Sequence, residues 1–268
     1  MARSAGRGGR ARPRSGTRRT IALANQKGGV GKTTTAVNLA AALSQAGRRV
    51  LVVDVDPQGN ATTALGIEKT SVKRCVYDVL LKAAHVDLVT VDTRVPGLSL
   101  VPATLNLAGA EIELVSALSR EQRLRGALRA SSVPYDEIIV DCPPSLGLLT
   151  LNALTAADKL IIPVQAEYLA LEGLGQLTRV IDLVRAHLNE GLRILGVLVT
   201  MYDGRTNLAA QVVAEVEDFF PGLVFKTRIP RTIRLSEAPS YGAPIALFDA
   251  KGKGAAAYAA LAHEVLAR

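Results

Sequence analysis

Tryptophan is absent from this chain of 268 residues, and the aromatic residues together make up only 4%. That excludes a surface that stacks bases on a run of rings. Cysteine is almost absent as well, with only Cys75 and Cys142 present. Two cysteines in so long a chain build no disulfide framework, and such sparse use suits a reducing compartment. The three histidines, His85, His187 and His263, are scattered and sit near no cysteine cluster. A protein-ligated zinc or iron–sulfur site is therefore not expected. No apolar run reaches the ~18 residues that span a bilayer. The charged N-terminus is not followed by the apolar stretch of a secretory signal, and its Gly and Pro content speaks against the amphipathic helix of a transit peptide.

What is present is unevenly placed. The net charge is +8, but residues 1–19 contain seven arginines (Arg3, Arg7, Arg10, Arg12, Arg14, Arg18 and Arg19) and no acid. The remaining 25 basic residues face 24 acidic ones, so the excess charge belongs to the leader. Residues 1–19 read as a flexible Arg/Gly-rich tail. Such a tail adds sequence-independent DNA affinity by counterion release, or is simply a solubilising leader or an overlong start. From residue 20 to 268 the texture is that of a single domain with 49% hydrophobic residues over the whole chain, enough for a large core.

Short apolar runs at 21–24, 50–53, 98–101, 138–140, 160–164, 194–199 and 224–229 read as strands. Most lack alternation, as strands buried on both faces do. Helical patterns fall at 32–46, 107–129, 146–156, 170–189, 207–219 and 253–267. The alternation predicts an α/β fold: a mostly parallel, twisted sheet with helices on both faces.

The strongest motif is Gln26-Lys27-Gly28-Gly29-Val30-Gly31-Lys32-Thr33-Thr34-Thr35. It follows the first strand and opens a helix, the setting in which a Gly-rich loop cradles phosphates, so the expected fold is P-loop NTPase-like. Backbone N–H groups and the helix N-terminus bind the anion. Lys32 is expected to reach the β- and γ-phosphates, and the Thr33 hydroxyl to ligate Mg²⁺. Gln26 stands where the ordinary loop has its first Gly, and Lys27 supplies a second lysine five residues before Lys32. Asp54 and Asp56 end the second strand, and Asp141 ends a later one. Carboxylates at the C-terminal ends of strands lie where open α/β sheets bind ligands. Asp141 is expected to hold Mg²⁺ through water. At least one of Asp54 and Asp56 is expected to face the γ-phosphate. Cys142 reads as packing.

With residues 53–60, 139–147, 201–208 and 229–239, these motifs make the chain resemble the ParA/Soj family of partition ATPases, within the wider class that includes MinD. The resemblance implies an ATP- and Mg²⁺-dependent ATPase of slow intrinsic turnover, in which two subunits close face to face on two ATP molecules. Lys27, Gly28, Gly29, Val30, Gly31, Lys32, Thr33 and Thr34 then contact the triphosphate, with Lys27 reaching the nucleotide of the other subunit. Asp56 positions the attacking water, Asp54 and Asp141 stand with Thr33 near the metal, and Pro230 and Thr232 line the adenine, although many members carry Asn where Thr232 stands. Arg205 and Arg234 match arginines that bind double-stranded DNA without sequence preference. The implied partners are a second copy, DNA and a ParB-like centromere-binding protein. The implied location is cytoplasmic and nucleoid-associated, with no membrane partner. A membrane-bound MinD-like role calls for a C-terminal amphipathic helix with bulky apolar residues, whereas residues 252–268 are rich in Ala and read as packed on the domain.

Overall fold

The computed structural model describes residues 18–167 and 173–268. Most of the Arg-rich leader and the first residues of the helix expected at 170–189 lie outside the described residues. Seven strands form one sheet: β1 (Arg19–Leu23), β2 (Val50–Asp54), β3 (Val91–Asp92), β4 (Leu98–Val101), β5 (Glu137–Asp141), β6 (Lys159–Gln165) and β7 (Arg193–Thr200). Their order is β3-β4-β2-β5-β1-β6-β7. Every pair is parallel except β3–β4, a two-residue antiparallel edge too short to leave a sequence signal.

The first half of the chain supplies α1 (Lys32–Gln45), α2 (Asn60–Ala64), α3 (Val76–Leu81), α4 (Val86–Val89), α5 (Leu107–Glu113) and α6 (Arg123–Ala130). The second half supplies α7 (Leu148–Ala156), α8 (Leu174–His187), α9 (Asn207–Phe219), α10 (Ile233–Glu237), α11 (Ile245–Phe248) and α12 (Lys253–Ala267). Strand residues alternate between two core layers, and both are apolar. Ile21, Leu23, Val50, Val52 and Ile139 pack with α1, α2 and α10 to α12. Ala22, Leu51, Val53, Ile138 and Val140 pack with α3 to α9. This two-sided burial is why the strands read as continuous apolar runs. The Ala-rich α12 buries Ala255, Tyr258, Leu261, Ala262 and Val265 in the layer with α1, and the Tyr258 hydroxyl lies 3.3 Å from Thr35 Oγ1.

Three expectations are corrected. The run at 224–229 is not a strand. It lies beside β7 with one isolated bridge, Val197 with Val224, and bonds to it near its two ends, Phe225 N–H donating to Val197 O (2.9 Å) and Ile229 N–H to Val199 O (2.9 Å). Between them the Glu264 carboxylate of α12 accepts the N–H groups of Lys226 (2.9 Å) and Thr227 (3.0 Å), which diverts them from a ladder. The helix expected over 107–129 is split into α5 and α6. Asn152 of α7 serves the break: its amide donates to the Arg120 carbonyl (2.8 Å) and its Oδ1 accepts from Leu124 N–H (3.1 Å). Those are backbone groups the interruption leaves without helical partners. Finally, Arg19 does not belong to the leader. It is the first residue of β1, and its guanidinium pairs with the buried Glu137 at 3.0 Å.

Candidate functional site

The phosphate loop, the acidic residues and the segment after β7 all stand at the C-terminal end of the sheet. The loop is shaped by its neighbours before any ligand arrives. The Asn25 amide donates to the Pro163 carbonyl (2.7 Å), and its Oδ1 accepts from Lys27 N–H (3.0 Å). The Thr200 hydroxyl, at the end of β7, donates to the Val30 carbonyl (2.9 Å) and shares its proton with Val164 O (3.2 Å). Gly29 and Gly31 adopt φ of +75° and +84°. That region costs other L residues roughly 1–2 kcal/mol, so the glycines let the backbone turn its N–H groups inward. α1 begins at Lys32, so its N-terminal partial charge faces the loop. Sequence reasoning passed over Asn25 and Thr200, since a polar residue at a strand end has no pattern of its own.

Lys32 is 6% exposed, and its ammonium donates to the Lys27 carbonyl at 3.0 Å. Burial pulls its pKa down, and the charges of Asp141 and Asp56 pull it back up. Lys27 enters this bonding only through its backbone, leaving its half-exposed side chain clear of the loop's hydrogen bonds.

The acidic residues have distinct settings. β2 stops at Asp54 and the chain turns through Asp56 to Gly59. Asp54 is fully buried. Its Oδ2 accepts from the N–H (2.9 Å) and hydroxyl (2.7 Å) of Thr62, and Oδ1 from Asp56 N–H (3.2 Å). Desolvation pushes its carboxyl up to about 6, against the pull of those bonds. Asp56 Oδ1 accepts from Gln58 N–H at 2.9 Å. Asp141 is the register neighbour of Asp54 across β5 and β2, is likewise fully buried, and has no hydrogen-bond partner on either oxygen. Burial first, and the Asp54 charge second, push its carboxyl well above the ordinary range; the nearby Thr33 hydroxyl, outside hydrogen-bonding geometry, and the Lys32 charge pull the other way.

A buried carboxylate with both oxygens unpartnered is costly unless a cation or proton joins it. Asp141 beside Thr33 therefore fits a Mg²⁺ ion. Asp54 has its oxygens committed to Thr62 and Asp56 and serves to hold α2 in place. No group of three or more His, Cys, Asp or Glu among the described residues is arranged to cage a metal. Mg²⁺ commonly needs no such cage, because it keeps waters and shares phosphate oxygens. Cys142 is fully buried, and burial pushes its thiol up, in keeping with packing.

A cleft of about 340 Å³ runs from Gly31 and Thr34 to Pro230 and Thr232, with Thr200 and Met201 in its wall. It joins the loop to the two residues expected at the adenine. Met201 adopts φ +51°, a strained value that ends β7 and lets residues 229–232 fold against Tyr202. Thr232 caps α10 by accepting from Leu235 N–H (3.2 Å), so its hydroxyl proton remains free to donate. Arg231 also lines this cleft and pairs with Glu167 at 2.7 Å.

Of the two expected DNA arginines, Arg205 stands on the turn before α9 and Arg234 in α10, and the Tyr202–Pro230 bridge joins the segments that lead to them. Arg205 is exposed and bidentate on Asp203 (2.9 and 2.6 Å), whose carboxyl it draws down to about 2. Arg234 is paired with Glu237 at 3.1 Å and lies over the Phe248 ring at 5.8 Å. Exposed pairs of this kind are weak and yield readily to a phosphate.

The AAA domain family model matches residues 18–194. The sporulation initiation inhibitor protein Soj of Bacillus subtilis is 60% identical over 247 residues, covering 92% of this chain and 98% of the relative. The chromosome partitioning protein ParA of Myxococcus xanthus is 54% identical over 250 residues, covering 93% of this chain and 88% of the relative. A structure of cobyrinic acid a,c-diamide synthase from Mycobacterium smegmatis with bound ATP analogue and magnesium superposes with a TM-score of 0.83 at 42% identity, covering 93% of this chain and 95% of that one. Matched at 54–60% identity across nearly the whole length of such relatives, the chain belongs to the ParA/Soj family of chromosome-partitioning proteins.

Proposed function

We propose that the protein is a partitioning ATPase whose Mg-ATP-bound form is a dimer that grips DNA without sequence preference. The observation that carries the nucleotide reading is the meeting of three features: the N-terminus of α1, the buried Lys32 ammonium and the unpartnered Asp141 carboxylate. An anion and a divalent cation together satisfy all three. ATP with Mg²⁺ supplies both, and a relative of this fold holds an ATP analogue with magnesium.

In this reading the loop N–H groups and Lys32 bind the β- and γ-phosphates. Thr33 and Asp141 hold the metal, which offsets charge on the phosphoryl oxygens. Asp56, anchored on one oxygen by Gln58 N–H, orients the attacking water with the other. Pro230 and Thr232 flank the base. Lys27, clear of its own loop's bonding, reaches the triphosphate of the second copy and offsets developing charge there. Hydrolysis is slow until a ParB-like partner stimulates it, and release of DNA follows. The domain comprises residues 19–268 behind the basic leader, and the protein works on the nucleoid in the cytoplasm.

DNA binding is assigned to Arg205 and Arg234. Arg234→Glu is expected to weaken binding of a labelled duplex in Mg-ATP by at least about tenfold. It should also lower the log–log salt slope by about 0.9 for each phosphate no longer neutralised. The ATP-driven dimer should persist. Measuring duplex affinity with ATP, with ADP and without nucleotide, at two salt concentrations, tests the reading. Equal affinity in all three states, or an unchanged affinity in the Arg234→Glu dimer, contradicts it.

A further inference from the structure

Asp54 and Arg234 stand at the two ends of one run of contacts. α2 hangs on the Asp54 carboxylate through Thr62, whose hydroxyl also accepts from Ala103 N–H at 2.9 Å. Just past α2 comes Gly66, at φ +79°. A Cβ on Gly66 would stand 2.8 Å from the Gly242 carbonyl oxygen, and one on Gly242 (φ +59°) would stand 2.7 Å from Gly66 Cα. The two backbones therefore touch with no side chain between them.

Gly242 ends the short helical turn Ala238–Tyr241, which continues directly from α10. The Tyr241 ring packs on Phe248 at 4.8 Å between centroids, and Phe248 lies beneath the Arg234 guanidinium. α11, which carries Phe248, is tied separately to the phosphate-loop helix. Asn38 Oδ1 accepts from Ile245 N–H (2.6 Å), and its amide donates to the Thr34 carbonyl (2.7 Å).

We propose that the Gly66–Gly242 contact couples the loop after β2 to the DNA face, making both glycines positioning residues for Arg234. The proposal rests on the DNA reading above. Its physical basis is stiffness. Close-packed backbone atoms have no rotamers with which to absorb a displacement. α2 is five residues long, tied at its middle through Thr62 and followed by the Gly66 contact, so it moves as a body when residues 55–59 rearrange around a γ-phosphate. The segment Ala238–Tyr241 follows, and the Tyr241–Phe248 stack carries the movement to Arg234. Because coupling is reciprocal, DNA bound at Arg234 favours the same arrangement of the Asp54–Asp56 loop.

The test uses the full chain, a labelled DNA duplex and light scattering. The quantity read is the ratio of duplex affinity in ATP to that in ADP, about 10- to 100-fold in the parent. Gly242→Ala is expected to dimerise with ATP while this ratio falls to within about threefold of unity. Phe248→Leu strains no backbone and serves if Gly242→Ala does not fold; it should lower the ratio at least about fivefold with dimerisation intact. An unchanged ratio in either dimerising variant overturns the proposal. So does a folded Gly242→Ala chain that no longer dimerises, since the contact would then belong to assembly. A parent ratio of one defeats the DNA reading itself, whereas a normal parent ratio with unchanged variants defeats only the coupling.

Discussion

Replacing Asp141 with Asn raises the melting temperature of the nucleotide-free chain near pH 8 by about 5 °C or more, and removes the further rise that Mg-ATP gives the parent. Both effects have one cause. The Asp141 carboxylate is fully buried without a hydrogen bond, beside a second buried carboxylate on the neighbouring strand. An amide of the same shape carries no charge to desolvate. It cannot stand in for a carboxylate toward a divalent cation.

The pH dependence has a definite sign. Both carboxyls are raised, so the folded chain holds these protons more tightly than the unfolded one. Their contribution to stability is complete below the ordinary carboxylate value and is lost as pH rises through about 6 for Asp54 and through the raised range of Asp141. For Asp54 alone a shift from 3.8 to about 6 is on the order of 3 kcal/mol. The acids held low elsewhere, such as Asp78, Asp87 and Asp203, lose their contribution only as pH falls below the ordinary range. Between pH 5 and 8 the melting temperature of the ligand-free parent should therefore fall as pH rises, and that of Asp141→Asn should be flatter. Thermal melts across this range, with and without Mg-ATP, check it. A lower melting temperature for the variant at pH 8 contradicts the assignment.

Lys32→Ala lowers ATP affinity by at least about 100-fold in an equilibrium titration, on the scale of charged hydrogen bonds in a buried site. In the nucleotide-free chain the ammonium donates to the Lys27 carbonyl, a neutral acceptor. A triphosphate oxygen is a stronger one, so binding swaps a weaker bond for a stronger bond at a site already desolvated. The loop N–H groups and the α1 N-terminus remain in the variant, which is why a residual affinity is expected rather than none. A fall of less than threefold contradicts the role given to Lys32.

The sheet and the phosphate loop were legible in the sequence because both are written in local patterns. β1, β2, β5 and β6 are short apolar runs buried on two sides, and Gly29 and Gly31 occupy positions that need a left-handed backbone. What stayed hidden depends on contacts between distant segments. The run at 224–229 has strand composition but loses its ladder to Glu264. The interruption between α5 and α6 is served by Asn152, which no periodicity marks. Thr200 fixes the loop from 170 residues away in sequence. The residue types of Asp54 and Asp141 announced a cation site, but which of them keeps its oxygens free is decided by Thr62 on α2. The touching backbones of Gly66 and Gly242 leave no trace beyond two glycines among 23.

The central claim is that nucleotide closes two copies of this chain on each other. The most direct measurement is the solution mass of Asp56→Ala in saturating Mg-ATP, where Lys32, Thr33 and Asp141 still bind but hydrolysis is blocked. Twice the monomer mass is expected in Mg-ATP, and the monomer mass in Mg-ADP. A monomer in both contradicts the claim.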